Sequence, residues 1–105
     1  MSNKFIVFNN ISAGFIQSEN ECIVTIPTLM YLPIKPLNGR KINIYNHTGK
    51  MISVDCNSKT DFMYSSFYSP TGSTRITLEI NRMMSLTYIG LQDNKKLGVW
   101  HAIIS

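Results

Sequence analysis

The sequence predicts a single all-β domain, an antiparallel β-sandwich of jelly-roll type with about eight strands. Three observations predict it. Apolar and polar residues alternate along most of the chain. In 74–80, for example, Ile76, Leu78 and Ile80 face one way while Arg75, Thr77 and Glu79 face the other. Successive strand side chains point to opposite faces, so a period of two marks a half-buried strand. Turn residues interrupt these runs at regular intervals, the spacing of a sandwich or barrel. No useful length of chain carries the 3.6-residue apolar stripe of a helix.

The expected strands cover 4–8, 13–17, 21–27, 40–46, 50–56, 61–68, 74–80, 84–90 and 97–104. Residues 1–105 form one domain, with 1–20 as an N-terminal arm or extra strands. The first run, Lys4-Phe5-Ile6-Val7-Phe8, is apolar on both faces and needs cover on both. Pro33, Pro36 and Asn38-Gly39 bracket an irregular link. Next, Ile42 and Ile44 share one face of 40–46, and Ile52 and Val54 share one face of 50–56. Between them, Asn46-His47-Thr48-Gly49 reads as a hairpin loop, with Gly49 free to take positive φ. Residues 61–68 hold four aromatics. Alternation sets Phe62 and Tyr64 on one face and Phe67 on the other. Ser69-Pro70-Thr71-Gly72-Ser73 reads as a loop, as does 92–96. The last run, 97–104, is again apolar on both faces. It groups Trp100 with Ala102 and Ile104, opposite Val99, His101 and Ile103.

Composition narrows the class of function. Of 105 residues, 44% are apolar and only 15% charged, below the ~25% charged share of ordinary soluble domains. Such a surface is covered by neutral polar side chains or by a partner. The net charge of +4 is spread thinly, with Arg40-Lys41 and Lys95-Lys96 as its densest pairs. No basic stripe or reading motif marks a nucleic-acid partner. Cys22 and Cys56 are too few and too far apart for a disulfide scaffold or a zinc site, and each reads as a buried thiol. Residues 1–10 lack the apolar run of a secretory signal, and no stretch predicts membrane insertion. The sequons at Asn10 and Asn46 read as chance in an Asn-rich chain.

The residues assemble no recognisable catalytic pattern. His47 reads as a polar turn residue and His101 as a structural histidine within an apolar strand. No metal-binding spacing, Gly-x-Ser-x-Gly elbow or phosphate-cradling loop occurs. Asp55 and Asp61 flank a short loop and read as solvated strand ends, although a glycosidase pair would use such carboxylates. Non-enzymatic binding without a cofactor is therefore the expectation. Aromatics are the one rich resource. Their first reading is core filling. Their second is a glycan surface built from Tyr64 and Tyr68, with Tyr45 and His47 beside the expected turn. The two-faced apolar strands need cover from a loop or from another subunit, and in the second case Phe5, Phe8, Trp100, Ile103 and Ile104 form the interface.

A wider pattern joins these pieces. Thr25-Ile26-Pro27 and Tyr31-Leu32-Pro33 precede the continuous stretch 38–54, which begins Asn38-Gly39-Arg40-Lys41-Ile42-Asn43-Ile44-Tyr45. Leu86-Thr87-Tyr88-Ile89 and the ending Gly98-Val99-Trp100-His101-Ala102-Ile103 follow. Across roughly 22–104 this resembles the C-terminal β-domains of bacteriophage tail fibres and tailspikes. The resemblance implies a virion protein assembled in the host cytoplasm, a homotrimer contacting other virion proteins, and binding to host-surface polysaccharide. Tailspike catalytic residues usually lie on a large upstream β-helix, so none is carried over. The alternatives are a free-standing carbohydrate-binding module and a capsid decoration or head-fibre protein.

Overall fold

The computed structural model describes residues 5–9, 13–17, 21–34, 36–57, 61–65, 69–90 and 98–105. Among them, eleven strands and no helix form: β1 (Phe5–Phe8), β2 (Ala13–Phe15), β3 (Glu21–Val24), β4 (Leu29–Tyr31), β5 (Lys41–Asn46), β6 (Ile52–Asp55), β7 (Asp61–Ser65), β8 (Ser69–Ser73), β9 (Arg75–Leu78), β10 (Met83–Gly90) and β11 (Gly98–Ile104). One sheet has seven strands in the order β1-β3-β5-β10-β11-β7-β8. The other has four, in the order β2-β4-β6-β9.

From β1 to β6 the chain alternates between the sheets. Odd strands enter the larger sheet and even strands the smaller, and each pairs in parallel with the strand two before it. The chain therefore winds around a shared interior. Phe5 lies opposite Glu21, and Glu21 opposite Asn43, so the winding advances sixteen residues and then twenty-two. Later strands reverse direction. β10 pairs antiparallel with β5 and with β11, and β9 antiparallel with β6. β7 is parallel to β11, and β8 antiparallel to β7.

These ladders correct the expected architecture. The fold is all-β and two-layered, but its sheets are mixed, and five parallel ladders replace the antiparallel pairing that a jelly roll requires. Eleven strands replace about eight. Two were missed. β4 is three residues long and sits between Pro27 and Pro33, too short to show alternation. β8 contains Pro70 and Gly72 and was read as a loop. As the last strand of its sheet it tolerates them, because proline has no ladder bond to forfeit on an open edge.

The expected 40–46/50–56 hairpin is also corrected. β5 and β6 lie in different sheets, so the link between them is an arch that crosses the sandwich. Asn46 sets this geometry. It is 1% exposed. Its Nδ2 donates to the carbonyls of Lys50 (2.8 Å), Leu78 (3.0 Å) and Glu79 (3.0 Å), while its Oδ1 accepts from the Thr48 amide and hydroxyl. Its backbone carbonyl accepts from Asn81 N, and its amide donates to Arg82 O. Residues 79–82, the link from β9 to β10, are thereby stacked on the first arch. A hairpin ladder would leave those carbonyls without this partner. Gly49 does take the expected positive φ, 77°.

Alternation fills most of the core. Ile42 and Ile44, Ile52 and Val54, and Ile76 and Leu78 point inward from their strands, whereas Ile80, expected on the face of Ile76 and Leu78, lies past the end of β9 and is 47% exposed. Cys22 and Cys56 are buried and form no disulfide. Trp100 is 0% exposed, and its ring tilts against Tyr88 at 5.0 Å. This removes Trp100 from the expected subunit interface: the inward face of β11 fills the chain's own interior. Ile104 and Phe8, also assigned to that interface, are half-buried and pack against the same core.

Candidate functional site

Two outward sheet faces and one buried polar cluster carry the chemistry. On the larger sheet, ladder register sets residues in rows. Val7, Ile23, Tyr45 and Met83 lie side by side across β1, β3, β5 and β10. A second row runs Asn43, Ser85, Ile103, and a third Lys41, Thr87, His101, Tyr64. Ile89, Val99 and Phe62 form a fourth. Ile103 is 71% exposed although β11 is an interior strand of the sheet. Glu21 and Lys41 are the charged positions among the described residues of these rows and of Glu21's own ladder.

The expected glycan residues do not converge. Tyr64 is exposed and meets His101 edge-on at 5.9 Å. Tyr45 is half-buried two rows and three strands away, roughly 20 Å from Tyr64 at ordinary strand spacings. His47 is exposed on the arch, where its amide donates to Val24 O. Tyr68 and the side chain of Phe5 lie outside the described residues. His101 was expected within an apolar strand as a structural group. It lies instead on the exposed face, since β11 buries the opposite set.

The smaller sheet presents a different row. Phe15 and Tyr31 lie opposite each other on β2 and β4, stacked at 4.7 Å with an 18° interplanar angle. Tyr31 is opposite Asp55, and Asp55 opposite Arg75. Arg75 Nε donates to Asp55 Oδ2 at 3.0 Å, Arg75 Nη2 is ion-paired with the same oxygen at 2.9 Å, and Asp55 Oδ1 accepts from Asn57 N at 2.7 Å. The adjoining row is Ala13, Leu29, Ser53, Thr77. Sequence reading missed Phe15, Tyr31 and Arg75 as a group because they are distant in sequence. Phe15 and Tyr31 are sixteen residues apart, the same separation as Phe5 and Glu21, but no such spacing leads to Arg75.

Inside the sandwich, Asp61 is 1% exposed and accepts from the Tyr88 hydroxyl at 3.2 Å. Burial, reinforced by Asp61, pushes the Tyr88 phenol up to about 12. Burial also pushes the Cys56 thiol up to about 12, with Asp61 and Asp55 adding to it. Both groups are protonated at neutral pH, which leaves Cys56 without the thiolate a nucleophile needs. Gly98 sits where a methyl group would overlap the Tyr88 phenol. Asp55 and Asp61 are therefore not solvated strand ends: one is ion-paired on the outer face and the other buried. Among the described residues, no three His, Cys, Asp or Glu side chains gather as metal ligands.

No protein-family model matches the chain, and neither curated proteins nor solved structures yield a similar protein.

Proposed function

We propose that this chain is a structural, surface-binding module of a bacteriophage virion that associates with copies of itself, as a trimer, through the outer face of its larger sheet. The observation that carries the self-association is that face's character. It is rich in Val, Ile, Met and Tyr, poor in charge, and exposes Ile103 on β11. Interface centres are depleted in charged residues in this way, and broad apolar patches are uncommon on monomers. The sequence resemblance to fibre and tailspike β-domains supports the virion setting and binding to host-surface glycan.

Native mass measurement tests the assembly. The expected result is three times the 11.9 kDa chain mass. Ile103→Lys should yield folded monomer with a melting temperature close to that of the isolated wild-type chain. A wild-type monomer at micromolar concentration overturns the trimer and favours the second reading, a free-standing carbohydrate-binding module. The Phe15–Tyr31 stack on the opposite sheet supports that alternative. Failure of the oligomer to bind host cells or their polysaccharide moves the assignment to a capsid decoration protein.

A further inference from the structure

We infer that the outer face of the smaller sheet is a binding site for a neutral oligosaccharide, formed by Phe15, Tyr31, Asp55 and Arg75 with Ser53 and Thr77 beside them. The inference rests on the surface-binding reading above and names its site. The four residues cross four neighbouring strands, a strip about 14 Å long at ordinary strand spacing. That strip has the length of a short oligosaccharide. Its two halves differ. On β2 and β4 it is aromatic and apolar. Phe15 is 54% exposed on an edge strand, and its ring stacks on Tyr31. On β6 and β9 it is polar.

The polar half is fixed before any ligand arrives. Asp55 is held by hydrogen bonds from Arg75 Nε and Asn57 N and by the ion pair with Arg75 Nη2. Arginine has five N–H donors, more than this pairing uses, and the Arg75 side chain is 53% exposed. The pair offers fixed donors and acceptors with no net charge. A sugar ring matches both halves: its C–H face packs on an aromatic ring, and its hydroxyls donate and accept together. Among the described residues of this face, an anionic ligand meets no uncompensated cation, because Asp55 neutralises Arg75. This charge balance selects neutral sugars over acidic ones and disfavours a phosphate backbone.

The test is an array of neutral and acidic oligosaccharides probed with the intact protein, followed by titration calorimetry with the strongest neutral binder. Phe15→Ala and Arg75→Met are compared with Leu37→Ala, at a 76% exposed link residue outside both sheets. The expected result is binding to a neutral oligosaccharide, weakened at least ten-fold by Phe15→Ala and by Arg75→Met and unchanged by Leu37→Ala. All three variants should keep the wild-type melting temperature to within a few degrees, since each side chain is at a surface. Preference for acidic sugars overturns the site as stated. Binding left unchanged by Phe15→Ala and Arg75→Met also overturns it, while leaving the glycan-binding reading intact. Absence of any array binding by a protein that still adsorbs to host cells overturns this site but not surface binding. Absence of both overturns both.

Discussion

The wound strands β1–β6 and the antiparallel strands β9–β11 enclose the same core by different routes. In the wound region, neighbours within a sheet are separated by a full circuit through the other sheet. In the antiparallel region, β10 and β11 pair directly across a short link. Both regions alternate inward and outward residues equally well, so hydrophobic pattern does not distinguish them. The difference lies in the links. A reversal can stay in the plane of one sheet or cross to the other, and a single buried side chain such as Asn46 commits it to crossing.

The largest expected effect tests the antiparallel region. Trp100→Ala removes the largest side chain of the core and should cost about 3–5 kcal/mol. A melting temperature lowered by more than about 10 °C is the expected outcome for a domain of this size. A shift of only a degree or two means that the wound region holds the fold without it.

Asn46→Leu tests the join between the regions. It fills similar space but strips the carbonyls of Lys50, Leu78 and Glu79 of their common donor. Loss of about 3 kcal/mol is expected, because buried acceptors left unpaired keep their full desolvation cost. Urea denaturation measures it. A loss below about 0.5 kcal/mol shows that the arches stack without the amide.

A further effect is set by pH. The folded-state values of Cys56 and Tyr88 lie above their ordinary values of 9.0 and 10.0. Their contribution is complete below the unfolded values and is lost as pH rises through the folded ones, because only the unfolded chain ionises in that window. Stability should therefore fall from about pH 9 upward toward pH 12, and Cys56→Ala should flatten the lower part of that decline. Urea midpoints recorded across this range decide it. An equal slope in wild type and variant assigns the decline to other groups.

Strand existence was legible in the sequence because alternation is local. Ile42, Ile44, Ile52 and Val54 all point inward as read, as do Trp100 and Ala102. Pairing was not legible, because it depends on what each link does. Asn46-His47-Thr48-Gly49 carries hairpin composition and forms an arch. Within the site, Tyr64 and Tyr45 are outward as aromatic candidates should be, yet strand order keeps them apart. Phe15 and Arg75 look unremarkable in sequence and meet on one row only because the winding returns β2, β4 and β6 to adjacent positions. Pro70 concealed β8 because the tolerance of an open edge for proline is a property of the sheet, not of the residue.

The circuits of β1–β6 also bear on the order of folding. Their parallel ladders join residues at least sixteen apart, whereas β10 and β11 meet first at Gly90 and Gly98. Closing a longer loop costs more chain entropy, and ladders between distant residues form slowly. The β10–β11 pair thus closes at less cost than any circuit of β1–β6. β5 adds to it directly, and each earlier circuit then has an edge to settle against. The portion of the molecule written first becomes the portion completed last.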